Sequence, residues 1–103
     1  MSQVQVELRS GVLHIVFNRP EKKNALTLAM YEAANEAFER AATDADVKAV
    51  LIAGEGGSFT AGNDLQDFLS APPQGEEAPV LQFLRHLAGL DKPLVYLLWR
   101  LAA

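Results

Sequence analysis

The stretch Val47-Lys48-Ala49-Val50-Leu51-Ile52-Ala53-Gly54, with the glycine-rich residues after it, limits the fold more than any other part of the chain. A run rich in β-branched residues ends at Gly54, glycines recur at Gly56 and Gly57, and Phe59-Thr60-Ala61-Gly62-Asn63-Asp64-Leu65 comes next. That is the order of a strand, a turn and a helix opening at Asp64. The first amides of a helix have no partners inside it and lie at the positive end of its dipole, so N–H groups at such a junction can meet a developing negative charge. Small side chains at Ala61 and Gly62 let a ligand approach the backbone closely. Two phosphate-loop readings fit poorly here. Phe59 stands where a dinucleotide fingerprint needs its third glycine, and no Gly-Lys-Ser/Thr ending is present.

The rest of the chain supplies a frame for that junction. Val4, Val6 and Leu8 alternate with Gln5, Glu7 and Arg9, Ser10-Gly11 reads as a turn, and Val12 to Phe17 comes after it as a second strand; together they predict a hairpin. His14 shares a side with Val12 and Val16 and reads as a strand residue, because no partner base or ligand stands at a recognisable spacing. After the polar connection Pro20 to Leu26, Thr27 is the predicted N-cap of a helix of about four turns. Its apolar face is Met30, Ala34, Ala37, Phe38 and Ala41, Glu36 and Arg40 are set to pair across one turn, and Thr43-Asp44-Ala45-Asp46 ends it. Asp64 to Leu69 reads as a helical turn and Ser70 to Glu77 as a flexible acidic loop. Pro79 opens a further helix with Val80, Leu81, Phe83, Leu84, Leu87 and Ala88 inward, and with Gln82, Arg85, His86 and Gly89 outward. Leu94 to Trp99 is the predicted last strand.

Composition narrows the function. Nine Lys and Arg stand against thirteen Asp and Glu, a net charge of -4 in 103 residues with no basic block, which argues against a nucleic-acid partner. Without cysteine there is neither a disulfide nor a thiolate metal site, and no metal ligand set is expected. No apolar run reaches the roughly 18 residues of a membrane span, and the N-terminus lacks a signal-peptide core, so a single cytoplasmic domain without membrane contact is the expectation.

Five segments together resemble the enoyl-CoA hydratase/isomerase (crotonase) family in order and spacing across residues 3–95. They are Val12 to Phe17 with Asn18-Arg19-Pro20, Lys23-Asn24-Ala25-Leu26, the strand ending at Gly54, Phe59 to Leu65, and Leu90-Asp91-Lys92-Pro93-Leu94-Val95. The Gly62-Asn63-Asp64-Leu65 wording looks closest to the branch of isomerases that move a double bond from position 3 to position 2. The resemblance implies an α/β fold, the N-terminal part of a spiral of ββα units, and an acyl-CoA thioester substrate, with coenzyme A entering as part of it and no separate cofactor. It also implies a trimer-based homo-oligomer. By position it makes the backbone N–H of Asn63 one of two donors to the thioester oxygen as an enolate-like charge forms. Lys23 and Asn24 would lie by the CoA phosphates or ribose, Ala25 and Leu26 along the pantetheine, and Ala61, Gly62, Asp64 and Leu65 on the adenine side.

Residues 96–103 do not match the family pattern, whose later glycine-rich loop and proton-moving acidic residue have no counterpart here. Two classes of function are open: an acyl-CoA enzyme present as an N-terminal portion, inactive alone, or a non-catalytic remnant that binds CoA or associates with a relative.

Overall fold

The computed structural model describes residues 3–56 and 78–96. Strands β1 (Val4–Arg9) and β2 (Val12–Phe17) pair antiparallel, Val4 opposite Phe17 and Arg9 opposite Val12. Ser10 and Gly11 turn the chain with φ of 51° and 82°, the two positive values that a tight hairpin following the strand twist requires. Strand β3 (Ala49–Gly54) lies parallel to β2, and β4 (Leu94–Tyr96) parallel to β3, in the order β1-β2-β3-β4. Parallel neighbours need a crossover, and helix α1 (Leu28–Thr43) provides it between β2 and β3.

Helix α1 begins where the sequence predicts. The Thr27 Oγ1 accepts the Met30 N–H at 3.2 Å, satisfying one of the first-turn amides that the helix cannot. Met30, Ala34, Ala37, Phe38 and Ala41 are all buried, and Tyr31 and Asn35 join them. At the other end the i,i+4 partner of Arg40 is Asp44, at 3.5 Å, rather than Glu36. The Lys92 ammonium donates to the carbonyls of Ala41 and Asp44, placing a cation at the negative end of the α1 dipole.

One face of the sheet carries Leu13, Ile15 and Phe17 of β2 with Val50 and Ile52 of β3, and these merge with the α1 face into one core. A second helix, α2 (Pro79–Gly89), adds Phe83. Phe83 meets Tyr31 and Phe38 edge-on, with ring centroids 5.4 and 5.9 Å apart, an arrangement that matches positive ring edges to negative faces. Burial raises the Tyr31 phenol above its ordinary value of 10.0, so it remains a neutral hydroxyl.

Three further expectations are corrected. The ring of His86 does not point into solvent: it stacks on Phe38, centroids 5.7 Å apart and planes at 6°. Leu81, Leu84 and Ala88 are exposed instead, because only Phe83, Val80 and Leu87 reach the core. Val6, on the edge strand, is 39% exposed although Val4 on the same side is buried. No helix among the described residues is long and apolar enough to cross a membrane.

Candidate functional site

Because β2 and β3 run parallel, Phe17 and Gly54 end side by side. The region outside the carboxyl ends of such strands is where ligands sit in open α/β sheets. Two loops leave the sheet there. The Glu55 N–H donates to the Phe17 carbonyl at 2.9 Å, extending the strand pairing one step past Gly54. On the other side, Asn18 to Leu26 folds into a tight knot begun by a 3-10 turn, Pro20–Lys22.

Asn24 organises that knot. It is 0% exposed. Its Oδ1 accepts the Arg19 N–H at 2.7 Å, its Nδ2 donates to the Glu55 carbonyl at 2.9 Å, and its own N–H donates to the Arg19 carbonyl at 2.9 Å. The Arg19 guanidinium donates to the Ala25 carbonyl at 3.0 Å. Lys23 and Asn24 have φ of 52° and 57°, a left-handed conformation that asparagine tolerates better than most residues with a Cβ. One side chain thus ties the β2–α1 connection to the residue that leaves β3.

Gly56 shows how close the two loops come. Its φ is +81°, and a Cβ there would lie 2.6 Å from the Cβ of Pro20. Any larger residue would be strained in its backbone and would push against a proline ring that cannot rotate away.

The structure therefore brings Lys23, Asn24, Ala25 and Leu26 to the end of the sheet from which the segment bearing Ala61, Gly62, Asn63, Asp64 and Leu65 departs. Those five residues, the helical turn Asp64 to Leu69, the loop Ser70 to Glu77 and the chain beyond Tyr96 lie outside the described residues. Lys22 and Lys23 are exposed, Ala25 is half-buried, and Leu26 is 5% exposed within the core. Arg19, with its bond to the Ala25 carbonyl, was not singled out by the sequence. The signal that could have found it is Asn18-Arg19-Pro20 directly after a strand, where a chain must turn sharply.

On the opposite side of the hairpin, Gln5, Val6, Glu7, Arg9, His14, Val16 and Glu55 line an open groove of about 490 Å³. An Arg9 guanidinium nitrogen lies 3.4 Å from His14 Nδ1 and its Nε 3.6 Å from the Glu7 carboxylate. His14 is thus a strand residue in a polar contact. Among the described residues no three His, Cys, Asp or Glu side chains converge as a metal site would require.

A family model described as enoyl-CoA hydratase/isomerase matches residues 7–97. The chain is 40% identical over 79 residues to the mitochondrial Delta(3,5)-Delta(2,4)-dienoyl-CoA isomerase of Rattus norvegicus, a match that covers 74% of this chain and 24% of that protein. It is 40% identical over 97 residues to enoyl-CoA delta isomerase 2 of Homo sapiens, covering 87% and 24%. The solved structure of an enoyl-CoA hydratase/isomerase from Pseudoalteromonas atlantica T6c superposes with a TM-score of 0.84 at 37% identity, over 92% of this chain and 38% of that one. The chain spans about a quarter of the length of these curated relatives.

Proposed function

This chain belongs to the enoyl-CoA hydratase/isomerase family and has its crotonase-like α/β fold, and on that premise we propose that it carries one side of an acyl-CoA thioester site. The observation that carries the reading is the Asn24–Glu55 hydrogen bond of 2.9 Å. It holds the loop bearing Lys23, Ala25 and Leu26 against the start of the segment that leads to Asn63.

In this reading the Asn63 backbone N–H donates to the thioester oxygen as negative charge gathers on it, acting in a site shielded from water. The exposed Lys23 faces the CoA phosphates, the half-buried Ala25 lines the pantetheine with Leu26 packed behind it in the core, and Ala61, Gly62, Asp64 and Leu65 form the adenine-side wall. Two relatives bear isomerase names, which favours double-bond migration over hydration. A proton would leave C2 of the acyl chain, the enolate would form against the oxyanion donors, and a proton would return at C4. The acidic residue that moves it and the second donor have no counterpart in these 103 residues, so the polypeptide alone binds but does not turn over. Groups that act as a unit lose far more together than separate deletions suggest.

Calorimetry with acetoacetyl-CoA, together with turnover assays on 2- and 3-enoyl-CoA thioesters of several lengths, tests this. Saturable binding without turnover is the expected result. Turnover would mean that a base lies among these residues, and absence of binding would remove the CoA reading altogether.

Self-association is the remaining part of the proposal. Leu81 and Leu84 on α2 and Val95 on the short edge strand β4 are 38%, 53% and 51% exposed, and exposed apolar side chains and strand edges tend to find a partner. Light scattering of the 103-residue polypeptide should give a mass of at least two chains; a monomer that persists through dilution would exclude it.

A further inference from the structure

Strand β1 stands at the edge of the sheet: among the described residues it pairs on one side, with β2. Which of its backbone groups face outward follows from one bond. The Asn18 N–H donates to the Gln3 carbonyl at 2.7 Å, and the register that sets Val4 opposite Phe17 makes Gln3 and Asn18 an opposed pair that exchanges hydrogen bonds. Such pairs alternate along an antiparallel ladder. Gln5, Glu7 and Arg9 therefore turn their N–H and C=O groups toward β2, and Val6 and Leu8 turn theirs toward the open edge. The ladder is regular over all six residues of β1, with neither the bulge nor the proline that commonly blunts an edge.

The Val6 side chain lies open at the same place. On the core-facing side of β1, Val4 is buried and Leu8 packs against the core, but Val6 between them is 39% exposed. The run Val4-Gln5-Val6-Glu7-Leu8 is apolar and polar in turn, and that pattern is symmetric about Val6. An antiparallel second copy of β1, related by a two-fold axis at Val6, matches it at every position. The two Val6 residues exchange both backbone bonds and their side chains meet. Each Leu8 side chain comes beside a Val4, and each Glu7 carboxylate comes opposite a Gln5 amide that can donate to it.

Other alignments fit worse. A slip of one residue sets outward-facing backbone groups against residues whose groups face the other way. Centring on Glu7 puts two carboxylates opposite each other, which is unfavourable. Centring on Leu8 sets Val6 against Ser10, whose φ of 51° is not extended, and centring on Gln5 carries Leu8 past the start of the partner's strand at Val4. We infer that β1 is a self-recognition edge, across which two copies of this chain join their sheets antiparallel with Val6 opposite Val6. This surface is separate from the exposed residues of α2 and β4, since β1 and β4 stand at opposite ends of the strand order, and it does not rest on the acyl-CoA reading.

The chain has no cysteine, so introduced thiols report the alignment. Gln5→Cys and Glu7→Cys chains are mixed in equal amounts and oxidised mildly. Residues opposed as these two are stand about 4.5 Å apart at Cα, within reach of a disulfide, whereas each like pair lies on a diagonal of about 7–8 Å. The mixed disulfide should therefore form several-fold above chance pairing. Over a concentration series of the unaltered chain, hydrogen exchange at Val6 and Leu8 should slow about tenfold once free chain reaches about ten times the dissociation constant. Val6→Lys, which sets a charge into the joint, should abolish that slowing with an unchanged far-ultraviolet spectrum; if it unfolds the chain, the disulfide ratio decides. Disulfides in chance proportions would overturn the inference, as would exchange that does not change with concentration. Association that survives Val6→Lys but not Leu84→Glu would place the joint on α2 and overturn it as well.

Discussion

In a chimera of residues 1–95 with the remaining C-terminal portion of an active family member, Asn63→Pro lowers kcat by roughly 100- to 1000-fold while Asn63→Ala keeps most of it; that is the expected result if the backbone is the donor. Alanine removes only the carboxamide. Proline removes the N–H, and it is tolerated near the start of a helix because the first amides have no intrahelical partner. The parent chimera must first turn over substrate, and circular dichroism and CoA affinity of both variants must match it. A proline variant with full activity would take Asn63 out of the mechanism. An alanine variant as impaired as the proline one would move the role to its side chain.

Phe38→Ala is expected to destabilise the chain by about 3–5 kcal/mol, measured by urea unfolding followed in the far ultraviolet. Phe38 is 1% exposed and joins α1 to both Phe83 and His86. Truncating it empties the junction between the helices and strips two ring contacts at once. Domains of this size hold only about 5–15 kcal/mol in total, so most of the margin would go. Glu36→Ala, on the exposed face of α1, should stay within about 0.5 kcal/mol and serves as the control. Equal losses at the two positions would mean that the loss at Phe38 does not come from emptied core packing.

Local signals settled a good part of this protein from sequence alone. Alternation marked β1, Ser10-Gly11 the turn after it, the apolar run beyond that turn β2, Thr27 the start of α1, and Pro79 the start of α2. Each is a matter of neighbours along the chain: a side-chain oxygen three residues from an amide, a φ that glycine adopts freely, a ring with no N–H to lose. The family, too, was legible, because short runs such as Lys23-Asn24-Ala25-Leu26 keep their order and spacing.

Tertiary structure alone decided which part of an apolar helix faces inward and what the buried amides do. The α2 stripe is wider than the surface it meets, so periodicity could not say that Phe83 would be buried and Leu84 exposed. His86 reads as a polar residue of the outer face until Phe38 offers it a flat surface from 48 positions away. Asn24 looked like a ligand-facing residue of a polar loop and Asn35 like part of a solvated face. Their bonds to Glu55 and Pro79 span 31 and 44 residues. A carboxamide has no sequence period to announce its partner; where it points depends on which distant carbonyl the fold brings within 3 Å.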